Sequence, residues 1–290
     1  MRLSLLLEKV DRIRVILEDF IRRHVSAVLD ESEEMMRARE FNRSDSLAPL
    51  IATICDQEIS ADDAWKIPFY MSSWLREQGR EFNASSIVEV GIKNVKRFLA
   101  GFMGDRWPRR MDVQKRLRWL DNVSFWIVDA CRKIRDEYGN DPDNLFVVKG
   151  GRLSPPLIYF ILKQFKGIGP KKASMIARDF AMGVWDWYIG LKERLKQRGI
   201  DLRVEYPEFS EMPIDVHVKR VFQRVGLVKE AEASSQDYQN VARLIYPKLP
   251  GAVDILIWCV GREYCKDSPK CGECPLNVVC DYSRTRLGLG

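Results

Sequence analysis

From Leu6 onward, apolar residues recur at three- and four-residue spacing: Leu6, Val10, Ile13, Leu17, Phe20, Ile21, Val25 and Val28, with arginine and glutamate between them. A period near 3.6 puts these side chains on one stripe and predicts a long amphipathic helix. The mixed-charge stretch Asp30 to Glu40 reads as a solvated helix face or linker, and Pro49 opens a new apolar helix through Leu50, Ile51, Ala52, Thr53 and Ile54. The helical pattern then continues to about Phe180. It breaks at Gly79, Gly101, Gly104, Pro108, the turn Asn140-Asp141-Pro142-Asp143, Gly150-Gly151 and Pro155-Pro156. Only Ile200 to Tyr206 alternates in the way a short strand or hairpin arm would. Strand signals are otherwise nearly absent, and there is no internal repeat and no low-complexity segment.

Composition adds a core and a compartment. With 290 residues and 46% hydrophobic content the chain can bury one large domain or two modest ones, which excludes a disordered protein. A net charge of +6, the balance of 47 basic and 41 acidic residues, points only weakly to an acidic partner. Leu3 to Leu7 is followed at once by Glu8, Lys9, Asp11 and Arg12, unlike a signal peptide, and no window has the length of a membrane span. A cytoplasmic protein with no membrane partner is expected, in which seven cysteines suggest ligation rather than disulfides.

Four of those cysteines, Cys265, Cys271, Cys274 and Cys280, form a C-x5-C-x2-C-x5-C array near the C-terminus. Pro269, Gly272 and Pro275 supply the turns that would fold such a loop around one centre. Four thiolates suit a [4Fe-4S] cluster. Zinc is the first alternative, although zinc modules usually pair two close knuckles and only Cys271 and Cys274 make one; free thiols are the second. Cys55, Cys131 and Cys259 sit in apolar runs and read as buried structural thiols.

Between two helical segments stands Gly167-Ile168-Gly169-Pro170-Lys171-Lys172-Ala173. Glycine permits positive φ in a tight turn, and proline suits the first position of a helix, where its missing N–H costs nothing. The N–H groups at that helix start would face an anion, with Lys163, Lys166 and Lys172 adding positive charge. Such a hairpin can hold a DNA backbone without reading sequence; an ordinary helix-turn-helix connection is the competing reading.

This hairpin resembles the helix-hairpin-helix of the endonuclease III superfamily of DNA glycosylases. Pro213-Ile214-Asp215-Val216-His217-Val218-Lys219-Arg220-Val221 resembles the segment carrying that superfamily's catalytic aspartate, and the four-cysteine loop resembles its iron-sulfur signature. Leu50 to Ser60 is similar to its first barrel helix. The motifs stand in the family's order and cover about residues 47 to 282. There are departures. The first cysteine gap is one residue shorter than usual, Glu58 with Gln57 beside it stands where many members carry a base-stack-probing glutamine, and roughly Trp187 to Glu211 is inserted between hairpin and aspartate.

The resemblance implies an all-α, two-lobed fold with DNA in the cleft. The N-terminal helices of 1–46 would pack with the C-terminal lobe, 47–186 would form a helical barrel that includes the hairpin, 187–212 would be an insertion, and 213–290 would hold the C-terminal helices and the iron-sulfur loop. It implies a monomer acting on double-stranded DNA that contains a damaged or mismatched base. Lys171 would be the imine-forming nucleophile of a glycosylase with AP lyase activity and Asp215 the carboxylate that stabilises positive charge on the sugar. Two alternatives are a monofunctional glycosylase, with Lys171 on phosphate and water activated by Asp215, and a non-catalytic DNA-binding protein. Asp215 also suits a helix N-cap. Gly167, Gly169, Lys166, Lys172 and Lys270 are the expected DNA contacts, and Cys265, Cys271, Cys274 and Cys280 the cluster ligands. Arg109, Arg110, Lys115 and Lys266 could follow the backbone or simply be solvated. His217 reads as a packing or hydrogen-bonding residue. Of Trp185, Trp187, Tyr188, Tyr206 and Phe209, most are expected in the core, with one at most against an extruded base.

Overall fold

The computed structural model describes residues 3–26, 32–229 and 233–288; Val28 of the N-terminal stripe and Asp30 and Glu31 of the mixed-charge stretch lie outside them. The described residues form thirteen α-helices. They are α1 (Leu3–Ser26), α2 (Glu33–Ser44), α3 (Leu47–Cys55), α4 (Ala61–Arg76), α5 (Ala84–Met103), α6 (Val113–Glu137), α7 (Pro155–Lys163), α8 (Pro170–Met182), α9 (Asp186–Gln197), α10 (Val216–Val225), α11 (Ser235–Ile245), α12 (Val253–Glu263) and α13 (Asp281–Arg286). Two two-residue strands, β1 (Arg152–Leu153) and β2 (Arg203–Val204), pair in parallel. The alternation at Ile200 to Tyr206 therefore marks a strand, but one whose partner is distant in sequence rather than the other arm of a hairpin.

Local signals start and stop these helices. Ser60, Asn83, Asp112 and Ser154 each accept a backbone N–H at the start of α4, α5, α6 and α7, satisfying donors the helix itself leaves open. Ser234 and Asp237 form a reciprocal capping box on α11.

Burial divides the molecule in two. One core runs from Leu47 to Leu202 and is built from α3 to α9; the other combines Val10, Ile13 and Leu17 of α1 with α10, α11, α12 and the C-terminal loop. Each fully buried aliphatic side chain contributes about 1.5–3 kcal/mol, so the three from α1 hold that helix firmly. Two polar staples fix its register: Lys9 donates to Val225 O at 2.8 Å and pairs with Asp281, and Arg14 donates to the carbonyls of Ile245 and Leu244. No single helix among the described residues is long and apolar enough to cross a membrane.

One expectation needs correction. The segment 1–46 does not pack as a unit with the C-terminal lobe, because α2 lies on α4 and α9 of the first lobe. There Asn42 donates to Trp65 O, Arg39 pairs with Asp186 and Arg43 with Glu193. The expected insertion 187–212 is built into the first lobe: α9 places Trp187, Leu191 and Leu195 in the first core, and Gly190 lets it approach α2 so closely that an added Cβ would meet Arg43 O at 1.8 Å. Helical periodicity shows which face of a helix is apolar but not which neighbour covers it.

Candidate active site

The hairpin joins α7 to α8. Phe165 N donates to Leu162 O and Ile168 N to Phe165 O, closing a turn in which Gly167 takes φ 83°. A Cβ at Gly167 would also stand 2.6 Å from the Trp126 ring, so conformation and space both require glycine. Gly169 is the N-cap of α8 and offers no side chain, and Pro170 occupies the first turn. The early N–H groups of α8 therefore have no side-chain acceptor, and the positive end of the helix is left for an anion.

The two lysines that follow go opposite ways, because adjacent residues on a helix point about 100° apart. Lys171 is 47% exposed at its side chain and reaches Asp215, with Nζ 3.4 Å from Oδ2. Lys172 turns inward, is 8% exposed, and donates to Ile54 O at the end of α3 and to Gly167 O, both at 3.0 Å. The expected phosphate contact by Lys172 is thus corrected: its ammonium locks the hairpin to α3. Burial pushes Lys172 down to about 8, against the pull of Asp56 and Cys55, with the Lys171 charge also lowering it. Burial pushes Asp56 upward, and both lysines oppose that rise.

Asp215 comes from the other lobe. It is the N-cap of α10, where Oδ1 accepts from His217 N at 2.8 Å and Val218 N at 2.9 Å, so that Oδ2 is left facing Lys171. The N-cap and the proposed chemical role coexist, one on each oxygen. His217 makes a ring-nitrogen contact of 2.9 Å with Arg220, as a hydrogen-bonding residue should.

Behind this pair lies a charge cluster that the motifs do not announce. Arg178 on α8 donates from Nη1 to Asp254 Oδ2 of α12 at 2.5 Å and from Nε to Asp179 Oδ1 at 2.8 Å, and all three are buried. Burial raises Asp179 and Asp254 to about 6 even though Arg178 pulls both downward, and the nearby Asp215 adds to the rise of Asp254. The sequence signals were faint: an aspartate in the apolar run Ala252 to Cys259, and an arginine seven residues after Lys171, hence on the same face of α8.

Lys166 is exposed, 3.6 Å from Asp129 and over the Phe125 ring. Lys270, Arg109, Arg110 and Lys115 are exposed. Glu58 takes φ 61° on the loop after α3, and its neighbour Gln57 accepts from Trp119 Nε1 through its carbonyl. Trp187 and Tyr188 are core residues, whereas Trp185, Tyr206 and Phe209 are exposed.

The four C-terminal cysteines are free thiols on one loop packed against the second core. Cys274 and Cys280 both feel the charges of Cys265 and Cys271. Arg224 Nη1 lies 3.4 Å from Cys265 Sγ, and Ser283 N donates to Cys280 Sγ at the same distance. Burial pushes Cys274 up to about 11 and raises Cys280. Among the described residues no three His, Cys, Asp or Glu side chains converge closely enough to hold a single metal ion. Cys55 and Cys131 are fully buried, and burial raises both thiols.

No family model and no curated protein matches the chain in sequence. Solved structures do match in fold. A non-covalent endonuclease III–DNA complex superposes with a TM-score of 0.56 at 17% identity, covering 96% of this chain and 98% of that one. A trapped endonuclease III–DNA covalent intermediate, an estranged-adenine complex, gives 0.55 at 17% with the same coverage. A thermostable thymine-DNA glycosylase gives 0.53 at 11%, covering 97% of this chain and 98% of its own. The expectation of an all-α, two-lobed architecture is met over nearly the whole chain, which shares the fold of these solved structures.

Proposed function

We propose that this protein is a base-excision DNA glycosylase with associated AP lyase activity, acting on double-stranded DNA through Lys171 and Asp215. The observation that carries this reading is the 3.4 Å approach of Lys171 Nζ to Asp215 Oδ2, made between the two lobes and beside the uncapped start of α8. The hairpin N–H groups, with Gly167, Gly169 and Lys166, would hold a phosphate and bring the adjoining sugar to the amine. Lys270 would extend that contact from the cysteine loop.

Attack requires the neutral amine, so Lys171 first gives up a proton; Asp215 Oδ2 is the nearest acceptor. As the amine bonds to C1′ of the sugar, the C1′–N bond to the base breaks, its electron pair leaves with the base, and the base takes up the proton that Asp215 accepted, which restores the carboxylate. Asp215 stabilises the positive charge that develops on the ring. Loss of a proton from the new nitrogen and opening of the ring, with a proton to O4′, give an imine. Removal of a C2′ proton then expels the 3′ phosphate. The target base must leave the duplex for this to happen.

A [4Fe-4S] cluster fits the loop of Cys265, Cys271, Cys274 and Cys280: four thiols share one field, and an arginine and a backbone amide point at two of the sulfurs, the donors that tune such clusters. When bound, the cluster would fix the loop as a structural element and hold its ligands as thiolates.

A monofunctional reading also has an observation in its favour. The ammonium form of Lys171, which pairs with Asp215, is the form that holds phosphate, leaving Asp215 to activate water. Borohydride trapping separates the two. Duplexes carrying thymine glycol, 8-oxoguanine, uracil or an abasic site are incubated with the cluster-loaded protein and with Lys171→Ala and Asp215→Asn. The expected result is a covalent adduct that Lys171→Ala abolishes and Asp215→Asn reduces by at least about 100-fold, the usual scale for one positioned catalytic group. Base release without an adduct selects the monofunctional reading; neither on any duplex overturns the assignment.

A further inference from the structure

The Lys171–Asp215 pair is backed by a charge system that the chemistry above does not use. Arg178 lies two helical turns beyond Lys171 on the same face of α8, and its guanidinium is divided between Asp179, its neighbour in sequence, and Asp254 in the first turn of α12. One buried positive charge faces two buried negative ones, so the fully ionised triad carries an uncompensated negative charge out of water, an arrangement that favours uptake of a proton. The charged groups facing Asp254 are Arg178, Asp179 and Lys171 from α8 and Asp215 from the start of α10. Cys259, further along α12, is the remaining titratable group that feels it.

We propose that Asp254, held by Arg178, is a positioning residue of this site: whether its carboxylate is charged or protonated sets how strongly Lys171 and Asp215 hold each other, and so how readily the amine is freed to attack. The inference rests on the reading of the Lys171–Asp215 pair given above. Three features support it. Asp254 is tied by a 2.5 Å bond to the helix that carries Lys171, so its charge sits at a fixed place relative to the amine. It stands in the field of both members of the pair. Burial raises it to about 6, whereas Asp215 is surrounded by donors alone, namely two backbone N–H groups and an ammonium. Two neighbouring carboxylates in such unlike surroundings take different roles. With Asp254 charged, the like charge discourages a proton on Asp215 from leaving it; with Asp254 protonated, Asp215 is the sole anion beside the amine and holds the ammonium in place.

The test titrates full-length, cluster-loaded protein labelled with ¹³C-aspartate, following the Asp215 and Asp254 side-chain carboxyl signals, assigned with Asp215→Asn and Asp254→Asn. The expected result is a second step in the Asp215 signal at the pH where Asp254 titrates. Asp254→Asn should remove that step, and should be well tolerated because it leaves Arg178 balanced by Asp179. Asp179→Asn leaves Arg178 wholly to Asp254, so it should carry the Asp254 titration and the second Asp215 step together to lower pH by about one unit or more, the scale of an added opposite charge. The acid limb of the pH profile for base release should disappear in Asp254→Asn and move with the step in Asp179→Asn. An Asp215 titration that superimposes in wild type and Asp254→Asn overturns the proposal. Should Asp254→Asn not fold, an Asp215 signal unmoved by Asp179→Asn overturns it equally. A protein that excises none of the lesions refutes the glycosylase reading alone, since the carboxyl signals still decide the coupling.

Discussion

Lys172 gives a prediction whose size follows from its surroundings. Its amine is buried between the carbonyls of Ile54 and Gly167, and burial lowers it from 10.5 to about 8. A difference of that size corresponds to about 3 kcal/mol against the charged form. The folded-state value lies below the unfolded one, so between about 8 and 10.5 the unfolded chain keeps a proton that the folded chain has released, and stability rises with pH across that window. Below about 8 both states are protonated and the full penalty is present. Guanidinium unfolding of wild type and Lys172→Met at several values from pH 7 to 11 reads the effect; Cys55 and Asp56 are neighbouring groups that feel the Lys172 charge. Wild type should gain about 3 kcal/mol relative to the variant over this range. At pH 7 the two should differ little, because the charge-assisted bonds that are lost, worth about 1.5–3 kcal/mol each, oppose the relief of burying methionine instead of an ammonium. A difference between the two proteins that stays flat with pH would refute the reasoning and mean that Lys172 is solvated in solution.

Two further outcomes follow from packing and ligation. Gly190→Ala puts a Cβ 1.8 Å from Arg43 O, against backbone that cannot swing aside; its denaturation midpoint should fall by the upper end of the roughly 1–3 kcal/mol that overpacking costs, or more. Cys274→Ser should remove the absorption near roughly 400 nm and most of the about four irons per chain expected of a cubane, as read by metal analysis; wild-type protein holding zinc and no iron would refute the cluster.

The parts of this fold that could be read from sequence are those set by local chemistry. The two hairpin glycines, the proline that opens α8 and the N-cap aspartate of α10 each specify backbone conformation within a few residues, and each stands where the sequence places it. What depends on distant partners was not legible. Lys171 and Lys172 are chemically identical neighbours, and the arrival of α3 beneath one and of α10 beside the other divides them between burial and a contact across the lobes. The location of α2 followed the same rule, since its polar and apolar faces would suit either lobe. Arg178 and Asp254 are 76 residues apart, and each alone resembles an ordinary charge on an amphipathic helix.

The two cores described above give the reactive contact a particular meaning. Lys171 is anchored through α8 to one body, and Asp215 is anchored through α10 to the other; Arg178 and Asp254 repeat the same crossing a short way behind. Neither body holds a complete site. Under the proposed function the chemistry belongs to the seam, with the amine supplied from one body and the carboxylate from the other.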